Sequence, residues 1–434
     1  MPTSRLPIAA VLLAVLLAVA ATSTRADDWP AFRGPSGSGV YAGDEPLPTE
    51  WDAATDFRWT AALPGRGASS PSVFRDAVVV TAYTGYGLNP ESPGDAANLK
   101  LHTLCFDRAT GAKRWQQTVD GGEFTPKATP RRIDHGYATP TAACDASGVY
   151  VYFGVNGLHA YDWDGTLRWS VRNGENTAGF GTATSPVLFG DLVIQNQSIE
   201  DGSLAAFDKA SGRVVWQSDE IPKAWSTPTI LPVAGDADPA FELVMNHKDR
   251  VRGFDPATGK ELWSCDGIDD YIVPVVVGAD GIAYCFGGRQ NRALAIRLGG
   301  RGDVTETHRL WMVRTGANVT SPVLHQGKLF CLHDKGLWVV LDAADGSTLA
   351  KERTFLRSRV YPSVVLGDRY LYAQTRDEGL LVLKPTVAFD VVATNRLEPA
   401  SDDDDGPLWN AGPALADGVV YLRSDSTLYA IGND

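Results

Sequence analysis

The sequence predicts an all-β fold, an eight-bladed β-propeller that is closed by an N-terminal strand completing the last blade. Three observations predict it. A proline recurs at the head of an apolar run, an Asp-x-x-x-Gly turn followed by tryptophan ends several units, and long amphipathic helical patterns are missing after residue 27. Repeats of about 40 to 50 residues with four short strands are typical of propeller blades.

Each unit begins with a head proline, and small or hydroxylated residues often precede it. A short strand, a tight turn and a second strand follow, as in residues 186–194 and 322–330. The turn pairs Gly190-Asp191 and Gln326-Gly327 favour hairpins. The eight head prolines, which predict eight blades, are Pro71, Pro140, Pro186, Pro228, Pro274, Pro322, Pro362 and Pro413.

A second motif, Asp-x-x-x-Gly-x-x-x-Trp, occurs at 107–115, 208–216 and 255–263, with a shortened copy at 162–169. It predicts a strand, a turn in which Asp accepts backbone N–H bonds and Gly adopts a positive φ, and an outer strand. We expect each tryptophan ring to pack against the neighbouring unit. The predicted docking residues are Trp59, Trp115, Trp169, Trp216, Trp263 and Trp311.

The last unit is one strand short, because only 21 residues follow Pro413. Residues 57–63 precede the first head proline and have the pattern of the missing outer strand. Closing the ring in this way removes sheet edges that would otherwise invite aggregation. Seven blades is the alternative, because the units at Pro274 and Pro362 lack the complete tryptophan motif.

Residues 1–26 predict a secretory signal peptide: Arg5 precedes an apolar run at 8–21, and a small-x-Ala exit stands at 24–26. A membrane anchor is the alternative, although the run is short for a span. Residues 27–434 are predicted to form a single propeller domain. That segment is acidic, which disfavours nucleic acid as a partner. We expect a periplasmic or secreted protein without a lipid-attachment cysteine.

The five cysteines include no C-x-x-C pair, which excludes zinc ribbons, thioredoxin-like sites and covalent haem attachment. Most of them lie in apolar strand-like runs, so we expect buried small hydrophobic residues. One disulfide in an oxidising compartment is the alternative.

The tryptophan motifs resemble the PQQ-type propeller repeat of quinoprotein alcohol dehydrogenases and of the outer-membrane assembly lipoprotein BamB. The segments 28–35, 47–51 and 63–71 resemble an exported bacterial subgroup described as PQQ-binding-like propellers. The resemblance covers essentially the whole mature chain and implies PQQ and calcium as cofactors only if the dehydrogenase branch applies. The vicinal cysteines, the C-x-x-C-H motif and the lipobox cysteine of these relatives are missing from the sequence.

Inter-blade loops of a propeller gather at one mouth, and here they carry several arginines. Because a guanidinium presents planar paired donors, the loops favour a small polar or anionic ligand, with solvated loop residues as the alternative. The candidate ligand-binding residues are Arg131, Arg132, His135, Asn173, Glu175, Asn176, Lys223, Arg314, Asn318, Arg357 and Arg359. Residues 402–405 are four consecutive aspartates without calcium-loop spacing, so we expect a hydrated acidic loop and no metal site.

No catalytic motif occurs in the sequence: it contains neither a P-loop nor H-E-x-x-H, and its histidines are scattered. We therefore expect a monomeric, non-catalytic binding or scaffold protein of the cell envelope, which recognises a protein, a peptide or a small polar ligand at the propeller mouth. The alternative is a PQQ- and calcium-dependent oxidoreductase.

Overall fold

The computed structural model describes residues 28–52, 56–89, 91–122, 125–172, 174–235, 237–397 and 407–432. The predicted signal peptide, Asn173 and residues 402–405 lie outside this part of the chain. Eight sheets, antiparallel apart from one short added strand, follow one another along the sequence, so the eight-bladed prediction is confirmed. First strands of several neighbouring blades contact each other, which places them around a central channel.

Strand β1 (Phe57–Ala62) comes before the first complete blade. In blades one to four, the strands run from the channel outward in chain order: β2 (Ser72–Phe74), β3 (Ala77–Thr84), β4 (Lys100–Asp107), β5 (Lys113–Asp120); β6 (Ala143–Asp145), β7 (Gly148–Tyr152), β8 (Leu158–Tyr161), β9 (Leu167–Val171); β10 (Val187–Phe189), β11 (Leu192–Gln197), β12 (Ser203–Asp208), β13 (Val214–Ser218); β14 (Thr229–Pro232), β15 (Phe241–His247), β16 (Arg250–Phe254), β17 (Glu261–Asp266).

Blades five to eight are built in the same way, and a short β21 is added beside β17: β18 (Val277–Ala279), β19 (Ile282–Gly287), β20 (Arg292–Arg297), β21 (Gly302–Asp303), β22 (Arg309–Val313); β23 (Val323–His325), β24 (Lys328–Leu332), β25 (Leu337–Asp342), β26 (Thr348–Arg353); β27 (Val365–Leu366), β28 (Leu371–Gln374), β29 (Leu380–Leu383), β30 (Val391–Asn395); β31 (Ala414–Ala416), β32 (Val419–Arg423), β33 (Thr427–Ile431). Single helical turns are α1 (Pro130–Ile133), α2 (Thr305–His308) and the 3-10 turns Ala96–Asn98 and Gly154–Asn156.

The ring closes through the N-terminal strand. β1 pairs antiparallel with β33, with Thr60 opposite Tyr429 and Ala62 opposite Thr427. β1 therefore takes the outer position of blade eight, as the sequence predicted. Without it, β33 would present unpaired backbone groups at an open edge.

Most blades are joined by a tryptophan whose indole N–H donates to a turn carbonyl of the next blade. The ring lies under a glycine with positive φ; a Cβ at Gly259 (φ 70°) would approach Trp216 to 2.4 Å. Only glycine leaves room for such a contact. The bonds are Trp59 to Arg108 (2.8 Å), Trp115 to Trp163 (2.9 Å), Trp169 to Lys209 (2.9 Å), Trp216 to Pro256 (3.1 Å) and Trp311 to Ala343 (3.1 Å).

Trp263 departs from this hydrogen-bond pattern, although its ring lies in one buried cluster with Ile296, Leu298 and Val304 of the following unit, as expected. Its indole N–H donates to the buried Glu242 carboxylate of its own blade at 2.8 Å. The physical reason lies in blade five, which has no Asp-x-x-x-Gly turn; residues 298–308 replace it and add β21 in parallel beside β17. In blade six, Trp338 donates to Val387 of blade seven at 3.0 Å.

The hydroxylated residues near the head prolines have a structural role. A backbone N–H of one blade head donates to a serine or threonine hydroxyl of the next, so a girdle of hydrogen bonds surrounds the channel. Its members include Ser70 N–H to Thr141 (3.0 Å), Thr141 N–H to Ser185 (3.0 Å), Ser185 N–H to Thr227 (2.9 Å), Val275 N–H to Ser321 (3.1 Å) and Ser321 N–H to Ser363 (2.8 Å).

The chain before β1 closes one end of the channel, which we call the floor. Trp29 bridges to Val73 in blade one, and the Pro30 carbonyl accepts from Cys144 N–H of blade two at 2.8 Å. Across the ring, the Arg33 guanidinium donates to Pro322 at the head of blade six at 2.7 Å, and Tyr41 N–H donates to Leu366 of blade seven at 2.8 Å. Because the segment contacts blades on both sides of the ring, it crosses the channel at this end.

All five cysteines are buried free thiols, so the buried interpretation of these residues is confirmed over a disulfide. Burial raises the pKa of the thiol of Cys105 to about 12. Within the described residues, no helix is long and apolar enough to cross a membrane.

Candidate functional site

The channel contains a cavity of about 200 Å³ above the floor, at the end that we call the mouth. Every blade contributes to its wall through the loop that leads into its first strand. One lining residue from each of blades one to eight is Ser70, Thr139, Ala183, Trp225, Tyr271, Ser321, Ser363 and Gly412. Phe32 and Arg33 of the N-terminal segment also line it. The cavity is therefore a chamber with one closed end.

Arg33 forms a positively charged part of the floor. It is buried, and its guanidinium donates to the carbonyls of Pro322 at 2.7 Å and Val364 at 3.2 Å. Two further bonds go to Gly37 and Ser38 of its own segment. Burial lowers the pKa of Arg33 to about 10, which still leaves the group charged at neutral pH.

Five rings, which we call the aromatic arc, form a continuous edge-to-face series along the wall. The centroid distances are 4.9 Å from Tyr361 to His135, 5.8 Å from His135 to Phe180, 6.2 Å from Phe180 to Trp225 and 6.1 Å from Trp225 to Tyr271. All five residues line the cavity. Edge-to-face contacts fix the orientation of each ring through its neighbour.

Arginines already cover three of these rings. The guanidinium carbon lies 4.5 Å from the ring centroid for Arg376 over Tyr361, 4.6 Å for Arg289 over Tyr271 and 5.5 Å for Arg131 over Phe180. These are cation–π distances. Two of these guanidinium groups are also paired with carboxylates, Arg376 with Asp134 at 2.8 Å and Arg289 with Asp270 at 3.1 Å.

The turn containing α1 reaches across the mouth from blade two; we call residues 129–136 the bridging turn. Asp134 accepts from Arg376 of blade seven at 2.8 Å, and its backbone carbonyl accepts from the Asn410 amide of blade eight at 2.6 Å. Thr129 caps the start of α1. Burial lowers the pKa of His135, with the Asp134 charge opposing and the Arg376 charge assisting this shift, so its imidazole is neutral near pH 7.

Two polar side chains of the wall retain bonding capacity. Asn318 is only 9% exposed, and its Oδ1 atom has no hydrogen-bond partner. Arg359 is exposed at the mouth and lies 3.5 Å from the buried Asp334 carboxylate, a long contact for an ion pair. None of the described lining residues is an aspartate or a glutamate. The described lining therefore combines two guanidinium groups, Arg33 and Arg359, with a partly apolar wall.

The structure brings together three of the residues selected from the sequence: His135, Asn318 and Arg359 line the cavity. Arg131 borders it through its contact with Phe180. Arg132 is buried and donates to Thr177 and Ala178, and these bonds hold the loop that leads into blade three. Exposed loop positions outside the cavity lining are Glu175, Asn176, Lys223, Arg314 and Arg357. Asn173 lies outside the described residues.

A buried carboxylate supports the loop that carries Phe180. Glu200 is 1% exposed and accepts a hydrogen bond from the Thr182 hydroxyl. Burial raises the pKa of Glu200 to about 7, although the Thr182 bond opposes the shift. Ionisation of Glu200 near neutral pH therefore places a poorly solvated charge beneath this wall of the mouth.

Sequence reasoning selected His135 but missed the other four rings of the aromatic arc, the contacts that the bridging turn makes across the mouth, and Arg33. A signal for the arc exists in the repeat itself, because Trp225 and Tyr271 each stand three residues before a head proline and Tyr361 stands directly before one. The contact between Asp134 and Arg376 joins residues 242 positions apart. No local pattern announces such a pairing.

Calcium with PQQ is the cofactor pair that the dehydrogenase branch implies. Calcium requires several oxygen ligands, among which carboxylates predominate. The described residues contain no cluster of three or more His, Cys, Asp or Glu side chains able to hold a metal ion. The cavity wall, as described, also has no acidic side chain. The residues present do not fit a calcium–quinone pair.

Comparison with known proteins agrees with the blade geometry. The family model described as outer membrane protein assembly factor BamB matches residues 102–352 and 247–391. The chain belongs to this PQQ-like β-propeller family. No curated protein matches the sequence.

Solved structures share the propeller of this family at low sequence identity. BamB from Moraxella catarrhalis is 14% identical, with 86% of this chain and 98% of that chain covered and a TM-score of 0.59. Quinohemoprotein alcohol dehydrogenase from Comamonas testosteroni is 12% identical, covering 95% and 81%, with a TM-score of 0.62. A europium-containing methanol dehydrogenase is 10% identical, covering 94% and 98%, with a TM-score of 0.63. These similarities establish the fold alone.

Proposed function

We infer that this propeller is an exported, monomeric, non-catalytic binding protein of the cell envelope, which recognises a small anionic ligand in its mouth chamber. One observation carries this proposal: the chamber is closed at the floor and lined by aromatic rings and arginines, and its described lining lacks a carboxylate. Such a wall attracts an anion and offers apolar surface, the usual composition of a small-molecule site.

The envelope location is supported by two features of different kinds. The sequence predicts a signal peptide at 1–26, and the family model carries the description of an outer membrane assembly factor. A protein partner at the outer surfaces of the blades is compatible with this location, but the chamber itself is the better-defined feature.

The oxidoreductase alternative lacks support at the level of side chains. Its motivation is the likeness to two dehydrogenase folds at 10% and 12% identity. Fold does not imply chemistry, and the donor set of the chamber does not suit calcium.

The experiment is native mass spectrometry of the exported protein, purified from envelope extracts without denaturation. We expect a small anionic ligand to co-purify with the wild-type protein and with Arg357→Gln, which lies in the same loop outside the cavity lining. We expect Arg359→Gln to lose it. In parallel, the protein is loaded with PQQ and Ca²⁺ and tested for dye reduction with alcohols and sugars; substrate-dependent reduction would overturn the proposal.

A further inference from the structure

We propose that an exposed segment of blade six docks the protein on the surface of an anionic lipid membrane. The segment is residues 353–359, which lead from the end of β26 towards the head proline of blade seven. We call it the arginine strip. Of its residues, only Arg359 lines the chamber, so the inference goes beyond the proposed binding function and does not depend on it.

Exposure alternates along the arginine strip. The intervening residues are turned inward: Leu356 is buried in the core that blades six and seven share, and the Thr354 hydroxyl donates to the Gly336 carbonyl at 3.0 Å. Just beyond the strip, Val360 N–H donates to the Asp334 carbonyl at 3.0 Å. These contacts fix the segment and leave every second side chain on its outer side. The outward residues are Arg353, Phe355, Arg357 and Arg359.

The protein leaves most of the positive charge of the strip unpaired. In the part of the chain that the structure describes, Arg353 and Arg357 have no carboxylate within ion-pair distance, and Arg359 has one, Asp334 at 3.5 Å. The Arg353 guanidinium donates instead to the Lys335 carbonyl at 3.0 Å, which places another exposed cationic residue beside the strip. Four neighbouring cations are a local exception in a chain with a net charge of −13.

The acidic residue next to the strip in sequence has another partner. Glu352 precedes Arg353, but its carboxylate accepts a hydrogen bond from the Phe389 N–H of blade seven at 2.8 Å. The strip therefore presents its arginines without an interleaved carboxylate among its own residues.

Phe355 adds an apolar group between the arginines. Its residue surface is 52% exposed, while one side of the ring contacts Phe389 at a centroid distance of 5.9 Å. Phe389 in turn packs on the buried Trp338 at 5.6 Å. The ring is thus supported from behind and protrudes into solvent. An aromatic ring flanked by basic side chains is typical of proteins that bind at the membrane interface.

These features favour a membrane over an acidic peptide. Side chains on one side of a fixed segment can meet a planar surface together. A peptide site would instead need a cleft for a side chain of the partner, but the inner side of the Phe355 ring already packs on Phe389. The acidic remainder of the protein opposes docking only weakly, because the Debye length is about 10 Å at 0.1 M salt.

The test is co-sedimentation of the folded protein with phospholipid vesicles. One set contains phosphatidylcholine alone, and the other contains phosphatidylcholine with about one third phosphatidylglycerol, which is anionic. We expect binding to the anionic vesicles alone. About 1 M NaCl, at which the Debye length is about 3 Å, should weaken that binding by roughly tenfold or more.

Charge variants assign the binding to the strip. Arg353→Gln combined with Arg357→Gln should lower partitioning into anionic vesicles roughly thirtyfold, since each basic residue near such a surface contributes about a factor of five. Arg353→Lys combined with Arg357→Lys keeps the charge and should bind like wild type, which separates charge from the hydrogen bond to Lys335. Arg213→Gln combined with Lys260→Gln removes the same charge from exposed turns of blades three and four, and should also bind like wild type.

A further variant tests the ring. Phe355→Ser should weaken binding to anionic vesicles by roughly tenfold, because the ring no longer leaves water on docking. Phe241→Ser is the matched control, at a phenylalanine of blade four that is 44% exposed, and should leave binding unchanged. Thermal unfolding checks that each variant is folded.

Two results would overturn the inference: equal sedimentation of the folded wild-type protein with both kinds of vesicle, or binding to anionic vesicles that the double glutamine variant of the strip retains in full. Binding of soluble polyglutamate without binding of vesicles would show that the strip recognises an acidic polypeptide, and would equally overturn the assignment to lipid. None of these results bears on the chamber, whose own test is the loss of a co-purified anion in Arg359→Gln.

Discussion

Gly259 gives a sharp test of how the blades are joined. Its φ is 70°, and a Cβ placed on it would lie 2.4 Å from the Cε3 atom of Trp216. Gly259→Ala therefore adds two costs: a left-handed backbone for alanine, about 1–2 kcal/mol, and displacement of a buried ring, about 1–3 kcal/mol for overpacking. We expect a total of about 2–5 kcal/mol.

The matched control is Gly327→Ala. Gly327 has the same φ of 70°, but nothing lies within 4 Å of a Cβ built there. Gly327→Ala therefore measures only the cost of a left-handed backbone at alanine, so Gly259→Ala should be less stable than Gly327→Ala by about 1–3 kcal/mol. The free energy of unfolding is measured by urea denaturation of both variants, followed by tryptophan fluorescence and by circular dichroism to check for a single transition.

A double-mutant cycle tests the assignment to Trp216. In a Trp216→Ala background, Gly259→Ala should cost no more than Gly327→Ala does, because the ring that it would strike is gone. Equal destabilisation by the two glycine variants in the wild-type background would refute the argument that the Trp216 ring requires a glycine at position 259.

Three further perturbations address the carboxylate, the bridging turn and the girdle. The pKa of Glu200 is about 7 in the folded protein, above its ordinary value of 4.5, so the stability that this group contributes is present below pH 4.5 and is lost as the pH rises to 7. In urea titrations, Glu200→Gln should be more stable than wild type by about 3 kcal/mol at pH 8 and equally stable at pH 4. A difference in stability that is independent of pH would contradict this. Arg376→Gln removes the hydrogen bond to Asp134 and the contact with Tyr361. Hydrogen exchange of the backbone amides of residues 129–136 should therefore accelerate by roughly tenfold. Unchanged protection would mean that other contacts hold the bridging turn in place. Ser321→Ala leaves the buried Val275 N–H without its acceptor and should lower the free energy of unfolding, measured by urea denaturation, by about 1–3 kcal/mol. Ser36→Ala, at an exposed serine, is the control. Equal stability of the two variants would argue against a structural role for the girdle.

The repeated fold was accessible from sequence because each blade has its own local signals. Head prolines, tight turns and the position of Trp59 before the first head predicted both the blade number and the closing strand. Trp263 shows where a local motif is insufficient. Its own blade carries the full Asp-x-x-x-Gly-x-x-x-Trp pattern, but the indole hydrogen bond to the next blade depends on a turn that residues 298–308 replace there.

The site was only partly accessible for the same reason. His135, Asn318 and Arg359 lie in inter-blade loops, and this position alone was enough to select them. Loop position does not tell which arginine is free: Arg132 is buried against Thr177, and Arg376 is committed to Asp134. Nor does it reveal that the segment with Arg33 crosses the channel, since its contacts join residues hundreds of positions apart.

The central claim is that β1 closes the ring of blades that surrounds the chamber, and an engineered disulfide between β1 and β33 tests it most directly. Ala62 lies opposite Thr427 across β1 and β33, a spacing that suits a disulfide, and the five native thiols are buried. Ala62→Cys combined with Thr427→Cys should form a cross-link under mild oxidation, visible as a shift on non-reducing gels, while each single variant should not. If both new thiols stay free and titratable in the folded protein, β1 does not close the ring. The description of a chamber surrounded by eight closed blades would then be wrong.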